Sequence, residues 1–278
     1  MPATYNIFYP FSGPDILNAV EIFPDAENYI MFGLEPIANL PKLDSLPKKY
    51  LADLQIALAK TFALNYFITS NMNEKLKGKG VTPILLIFLA RTGHKIVNVE
   101  RFAIEKEGKI KPFANEELKQ YANFVKGIHI SFFHPDKNKL QHLYFVSTNL
   151  ADAALKGKPE VFAYARSFPN KTTLTKSASY LLHNGGFTMM RDYILDDTER
   201  VLQDDTGIPY IHYIKHAWQV KLYGNYAKPV KSFESNTNYY QKELLSAYQT
   251  DSTRQKIEFS FGYHSNSAAT SVIWAEKK

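Results

Sequence analysis

Tyr5–Pro36, YNIFYPFSGPDILNAVEIFPDAENYIMFGLEP, decides the fold. Tyr5 to Tyr9 predicts a short strand. Pro10-Phe11-Ser12-Gly13-Pro14-Asp15 must break it, because proline gives no ladder donor and glycine and aspartate favour turns. A helix is expected at once: Pro14 fits its first position, Ser12 or Gly13 can cap it, and Ile16, Leu17, Val20 and Phe23 recur on one face. Pro24-Asp25 ends it. Tyr29 to Leu34 is then a nearly continuous apolar run, as in a strand buried on both faces, and it stops at Glu35-Pro36. Two strands joined by a short helix predict a parallel strand–helix–strand unit with a right-handed crossover.

Farther along, Asp44-Ser45-Leu46-Pro47 predicts a helix start, with Leu51, Leu54, Leu58 and Phe62 at helical spacing to about residue 67, and a shorter helix is expected over Asn71 to Lys77. Pro83 to Ala90, PILLIFLA, is the most apolar run and predicts a third central strand, halted at Arg91-Thr92-Gly93-His94. The pattern then changes. Lys95 to Ile104 and Ile110 flank a Glu-Gly-Lys turn, and Ile128 to Phe133 and Leu140 to Val146 flank His134-Pro135-Asp136-Lys137-Asn138, which predicts two antiparallel hairpins. A mainly helical stretch is expected over 160–202, strands over 210–223, 257–263 and 270–275, and a helix near 239–248. The fold class is therefore α/β to α+β: a three-layer mixed sheet whose parallel N-terminal unit is followed by antiparallel hairpins and helices. Residues 1–278 are expected to form one mixed domain, and the only place for a seam is near 150–160.

Hydrophobic residues make up 45% and charged residues 22%, close to globular averages, so a core can form. The lack of cysteine excludes disulfides, thiol nucleophiles, iron–sulfur clusters and thiolate zinc sites. A net charge of +6 would suit nucleic acid only if basic residues clustered, and the densest stretch, Lys75 to Lys79, holds just three lysines. Nucleic acid is not an expected partner. Ile84 to Ala90 is far shorter than the ~20 apolar residues of a membrane span, so no transmembrane segment is expected. The 18 Tyr and 19 Phe supply rings that can line a groove or fill half-wet sheet faces.

If the three expected strands lie parallel, their carboxyl ends gather Ser12, Asp15, Glu35, Arg91 and His94, at the edge where open α/β sheets bind ligands. In dinucleotide folds a glycine-rich turn approaches the ligand and an acidic residue about 20 positions later holds ribose hydroxyls. Glu35 lies 22 residues after Gly13 (35 − 13). Only one glycine stands where three are needed, however, and Asp15 in the first helical turn repels phosphate. A phosphate-free ligand such as S-adenosylmethionine escapes that objection, and Phe11-Ser12-Gly13 loosely resembles the first motif of methyltransferases. The same residues also read as plain helix caps and a solvated strand end.

Asp192, Asp196, Asp197, Asp204 and Asp205 surround Arg191 and Arg200. Spacings of three and four predict helix-surface ion pairs between Arg200 and Asp197 or Asp196. That leaves Asp204 and Asp205 to orient a sugar or a water, with His183 as a histidine partner in a hydrolase. No Gly-x-Ser-x-Gly elbow occurs. His212 and His216 are four apart, but on the strand expected there they would sit about 13 Å from each other. His129, His134, His142, His183 and His264 show no ligand spacing with an adjacent carboxylate, so neither metal nor resident cofactor is expected.

With Tyr9-Pro10-Phe11-Ser12-Gly13-Pro14-Asp15, Gly33-Leu34-Glu35-Pro36, Phe88-Leu89-Ala90-Arg91-Thr92-Gly93 and Leu202-Gln203-Asp204-Asp205-Thr206-Gly207-Ile208-Pro209, the chain resembles, over most of its length, a family of bacterial proteins without an assigned activity. Members are often exported. The resemblance implies an extracytoplasmic location, periplasm or cell surface, after removal of a leader, with the cytoplasm as the alternative. The first expectation for function is a binding or accessory protein of the bacterial envelope that holds a small polar molecule or saccharide. The rival is an enzyme, methyltransferase-like through Ser12, Asp15 and Glu35, or a hydrolase using Asp204 and Asp205.

Overall fold

The computed structural model describes residues 5–37, 80–233, 239–263 and 267–278. The helices expected over 44–67 and 71–77 lie outside these residues. The described chain forms two compact units: unit 1 holds residues 5–37, 80–150 and 154–170, and unit 2 holds 151–153 and the described residues from 171 onward. Both are mixed α/β, the class expected from the sequence.

In unit 1, β1 (Asn6–Tyr9), α1 (Ile16–Ile22) and β2 (Asn28–Gly33) form the expected parallel unit, with Asn6 opposite Asn28 and Tyr9 opposite Met31. Both strands are almost wholly buried, which is why they read as apolar runs rather than alternations. The run after them is not a strand. Thr82–Arg91 is a helix, α2. Pro83 lies in its first turn and Gly93, at φ +81°, lets the chain reverse just past its end. Ile84, Leu85, Phe88 and Leu89 are buried while Ala90 is exposed, a helical stripe. Apolarity alone does not separate a short buried helix from a buried strand, and here the capping residues decide.

β3 (Lys95–Ile104) with β4 (Ile110–Phe113), and β5 (Val125–Phe133) with β6 (Leu140–Ser147), are the expected hairpins. They pair through β3 and β5, and β6 runs parallel to β2, giving the order β4-β3-β5-β6-β2-β1. Adjacent residues of a strand point to opposite faces, so β6 locates the helical layers. Gln141 Nε2 donates to the carbonyls of Pro24, at 2.9 Å, and Ala26, at 2.6 Å, on the segment leaving α1. Tyr144 faces the other way and meets Tyr164 of α3 (Pro159–Arg166) at 6.4 Å between ring centroids. Helices therefore cover both faces.

Unit 2 contains β7 (Lys171–Thr175), α4 (Thr188–Asp197), β8 (Arg200–Gln203), α5 (Tyr210–Lys215), β9 (Gln219–Gly224), α6 (Lys242–Thr250) and β10 (Ser271–Glu276). β7 and β8 are parallel; β10 is inserted antiparallel between β8 and β9. Leu222, Tyr226, Leu244, Tyr248 and Ile273 pack α6 onto this sheet. The stretch 160–202 is mainly helical, as expected, but it also holds β7 and most of β8, five and four residues long and too short to show a period. The expected strand over 210–223 begins as α5 after Pro209, and 257–263 forms no strand. Arg200, on β8, pairs with Glu276 at 2.8 Å and Glu199 at 3.4 Å instead of Asp196 and Asp197, because α4 ends at Asp197.

Candidate functional site

The loops that leave β1, β2 and β6 of unit 1 meet at one edge of its sheet. Ser12 N donates to Phe32 O at 2.9 Å, Thr148 N donates to Gly33 O at 2.8 Å, and Val81 N, entering α2, donates to Pro36 O at 3.1 Å. Phe11 and Gly13 both adopt positive φ, +58° and +53°, folding the Pro10–Asp15 turn back over the strand ends. Five polar residues are buried there: Ser12, Asp15, Glu35, Thr82 and Thr148. Asp15 accepts from Tyr9 Oη at 2.8 Å and from Asn18 Nδ2 at 2.6 Å, so it is anchored from both β1 and α1. The Ser12 hydroxyl donates to Gly13 O and Phe32 O. Glu35 folds back over Gly33, where a side chain would stand 2.5 Å from its Oε2. Among the described residues, Thr82 Oγ1 and Thr148 Oγ1 have no hydrogen-bond partner. A buried hydroxyl of this kind can take up a ligand group or an ordered water.

Arg91 and His94 do not join this edge. α2 enters beside Pro36 and carries the chain across the sheet, so His94 precedes Lys95, which pairs with Phe133; Phe133 in turn faces Leu140 at the start of β6. β6 begins where β2 begins, His142 opposite Asn28, so Arg91 and His94 occupy the edge where β1 and β2 start. The sequence placed them wrongly because it read α2 as a strand. His94 bonds Thr92 Oγ1 through Nδ1 at 2.8 Å, and its ring sits edge-on to Phe132. Burial, followed by the nearby His134, lowers its pKa.

At the corresponding edge of unit 2, the residues after β7 and β8 build a second buried polar cluster. Asp204 Oδ1 accepts from Thr206 N at 2.9 Å and Thr206 Oγ1 at 2.5 Å, and its Oδ2 accepts from Ser177 N at 3.3 Å. Asp205 accepts from Ser271 Oγ at 2.8 Å, and its carbonyl accepts from Gln241 Nε2 at 2.7 Å. Burial first, and the Asp205 carboxylate second, raise the Asp204 carboxyl to about 7. Gly262, at φ +68°, passes so close that any Cβ there would overlap Asp204 Oδ2. Ser177 Oγ and Ser179 Oγ are buried without hydrogen-bond partners among the described residues. Beside them, Tyr180, Phe233, Tyr239 and Tyr263 cluster with their rings tilted or edge-on to one another, and the His183 ring lies 5.0 Å from that of Tyr239. The segments 177–183, 239–241 and 261–263 each touch Asp204 or Asp205 through one residue and bring rings through another.

Thr82, Thr148, Ser177, Ser179, Gln241 and Ser271 went unnoticed in the sequence. The only usable signal was position: Thr148 and Ser177 each lie just past a strand. His212 and His216 lie in and just after α5, not on a strand, and His216 Nδ1 donates to His212 O at 2.7 Å. Among the described residues no helix is long and apolar enough to cross a membrane. No family model, curated protein or solved structure matches the chain.

Proposed function

We propose that the strand-end edge of unit 1 binds a small, phosphate-free ligand that carries positive charge and adjacent hydroxyls, S-adenosylmethionine being its best-fitting member, and that the chain is methyltransferase-like. The observation that carries this reading is the burial of two carboxylates, Asp15 and Glu35, on the loops that follow neighbouring parallel strands. An acidic side chain just past the second strand is placed to accept from two ribose hydroxyls. Asp15 opposes a phosphate but complements an ammonium or sulfonium group, and Thr82 and Thr148 add hydroxyls to orient a polar ligand. Asp204, titrating near neutral pH, favours an enzyme over a pure binding protein, as general base or as the acid of a hydrolase.

On an exported chain, the same edge would serve the other reading, a binding or accessory protein of the bacterial envelope with a saccharide as ligand. A saccharide shares the adjacent hydroxyls but lacks the positive charge. Thermal unfolding with S-adenosylmethionine, its homocysteine product, ADP and neutral saccharides separates the two. A ligand at 100 times its Kd stabilises by about 2.7 kcal/mol, a shift of several degrees. The first two compounds are expected to raise Tm, ADP is not, and Glu35→Gln should remove the effect. Stabilisation by saccharides alone would sink the methyltransferase reading.

A further inference from the structure

We propose that His129, His142 and Ser131 form a binding site for a divalent transition metal ion on the α3 side of the unit 1 sheet, away from the strand-end carboxylates. Cross-strand register creates this cluster from residues that are scattered in sequence. His129 on β5 faces Glu100 on β3 and Tyr144 on β6, and Ser131 faces His142. Their even spacing along each strand puts all five side chains on one face.

The donor atoms lie at the corners of a triangle. His129 Nε2 is 3.0 Å from His142 Nδ1, and Ser131 Oγ is 3.3 Å from the first and 3.2 Å from the second. An ion held tetrahedrally at about 2.0–2.1 Å from each of three donors requires donor–donor edges of about 3.3–3.4 Å. The sides present need to open by only a few tenths of an ångström. The tautomer is already set: Glu100 Oε1 lies 2.8 Å from His129 Nδ1, and since a carboxylate can only accept, Nδ1 carries the proton and Nε2 keeps its lone pair. This carboxylate–imidazole pair is the support that metal-binding histidines generally have. Tyr144 stacks on the His129 ring at 4.4 Å and 5° between planes, fixing its orientation. With His129 in that tautomer, His142 Nδ1–H donates to His129 Nε2 across the 3.0 Å contact, and an ion entering here takes the place of that proton, which moves to His142 Nε2.

Among the described residues no three His, Cys, Asp or Glu side chains gather as a metal set; here a hydroxyl is the third donor, and water completes the shell. Two imidazoles select Zn²⁺, Cu²⁺ or Ni²⁺ over Mg²⁺ or Ca²⁺. The site is separate from the strand-end edge: His142 lies opposite the first residue of β2, whereas Glu35 follows the last.

The test is calorimetric titration of the chelator-treated full chain with Zn²⁺, together with the visible spectrum of the Co²⁺ form. One equivalent is expected to bind, with the intense absorption of tetrahedral Co²⁺, and Mg²⁺ is not expected to compete. His129→Gln and His142→Asn should each weaken Zn²⁺ binding by well over tenfold. Glu100→Gln, on a partly exposed side chain and so without risk to folding, should weaken it by about 10–100-fold. His216→Asn should leave it unchanged. Absence of Zn²⁺ binding up to millimolar concentration, or binding indifferent to Glu100→Gln and His142→Asn, would overturn the proposal and leave the cluster as a hydrogen-bonded support of the sheet.

Discussion

Glu35 owes its position to the absence of a side chain two residues earlier. A Cβ on Gly33 would stand 2.5 Å from Glu35 Oε2 on one side and 3.0 Å from the Phe145 ring on the other. The ring is fixed in the core, whereas the carboxylate is the free end of a longer chain, so Gly33→Ala should displace Glu35 and leave Phe145 in place. Affinity for S-adenosylmethionine is then expected to fall at least tenfold, and adding Glu35→Ala should cost almost nothing more. A double-mutant cycle by calorimetry measures that coupling. Additive losses would mean that Gly33 and Glu35 act separately. Asp15 and Glu35 were legible in the sequence because each follows a short, bounded apolar strand, and the turn between strand and ligand edge is a local property. Asp204 and Asp205 were legible only as acids. Their partners Ser177, Gln241 and Ser271 come from distant segments, and no sequence spacing encodes that meeting.

α2 separates what could be read from what could not. Both hairpins and the β1–α1–β2 unit were readable because turn residues punctuate them, whereas PILLIFLA is apolar all round and carries neither a period of two nor one of 3.6. The helix makes an unambiguous claim about neighbours. On a strand Leu86 and Ile84 would share a face and Leu85 would oppose them; on α2, Leu85 and Leu89 lie one turn apart and both are fully buried, while Leu86 is half-buried. Leu85→Ala is expected to destabilise by about 2–5 kcal/mol, as large-to-small changes in a core do, and Leu86→Ala by clearly less. Urea unfolding checks this. Equal costs at the two positions, or a larger one at Leu86, would contradict the helix. β7 and β8 were missed for a related reason: KTTLT is buried throughout, yet reads as polar, because three threonines present hydroxyls where a core strand normally carries valine or isoleucine.

At the scale of the whole chain, a net charge of +6 coexists with carboxylates buried at a sheet edge in each unit, and one of them ties folding to pH. Asp204 is raised from an ordinary 3.8 to about 7, so the folded state holds its proton more tightly than the unfolded state. Its contribution is therefore complete below about pH 4, declines as pH climbs through 7, and is gone above that. At 1.36 kcal/mol per pKa unit the change amounts to a few kcal/mol. Asp204→Asn keeps the acceptor for Thr206 but cannot ionise, so the stability of the native protein minus that of the variant should decline between pH 4 and 7 and then level off. The two tryptophans, Trp218 and Trp274, both lie in unit 2, and their fluorescence during urea unfolding follows the unit that contains Asp204. Groups that do not interact with Asp204 contribute equally to both proteins and cancel in the subtraction, whereas Asp205, whose charge helps to raise Asp204, belongs to the difference that is read. Parallel stability curves from pH 4 to 8 would mean that Asp204 titrates as an ordinary carboxylate, and would remove the reason for giving it a proton-transfer role.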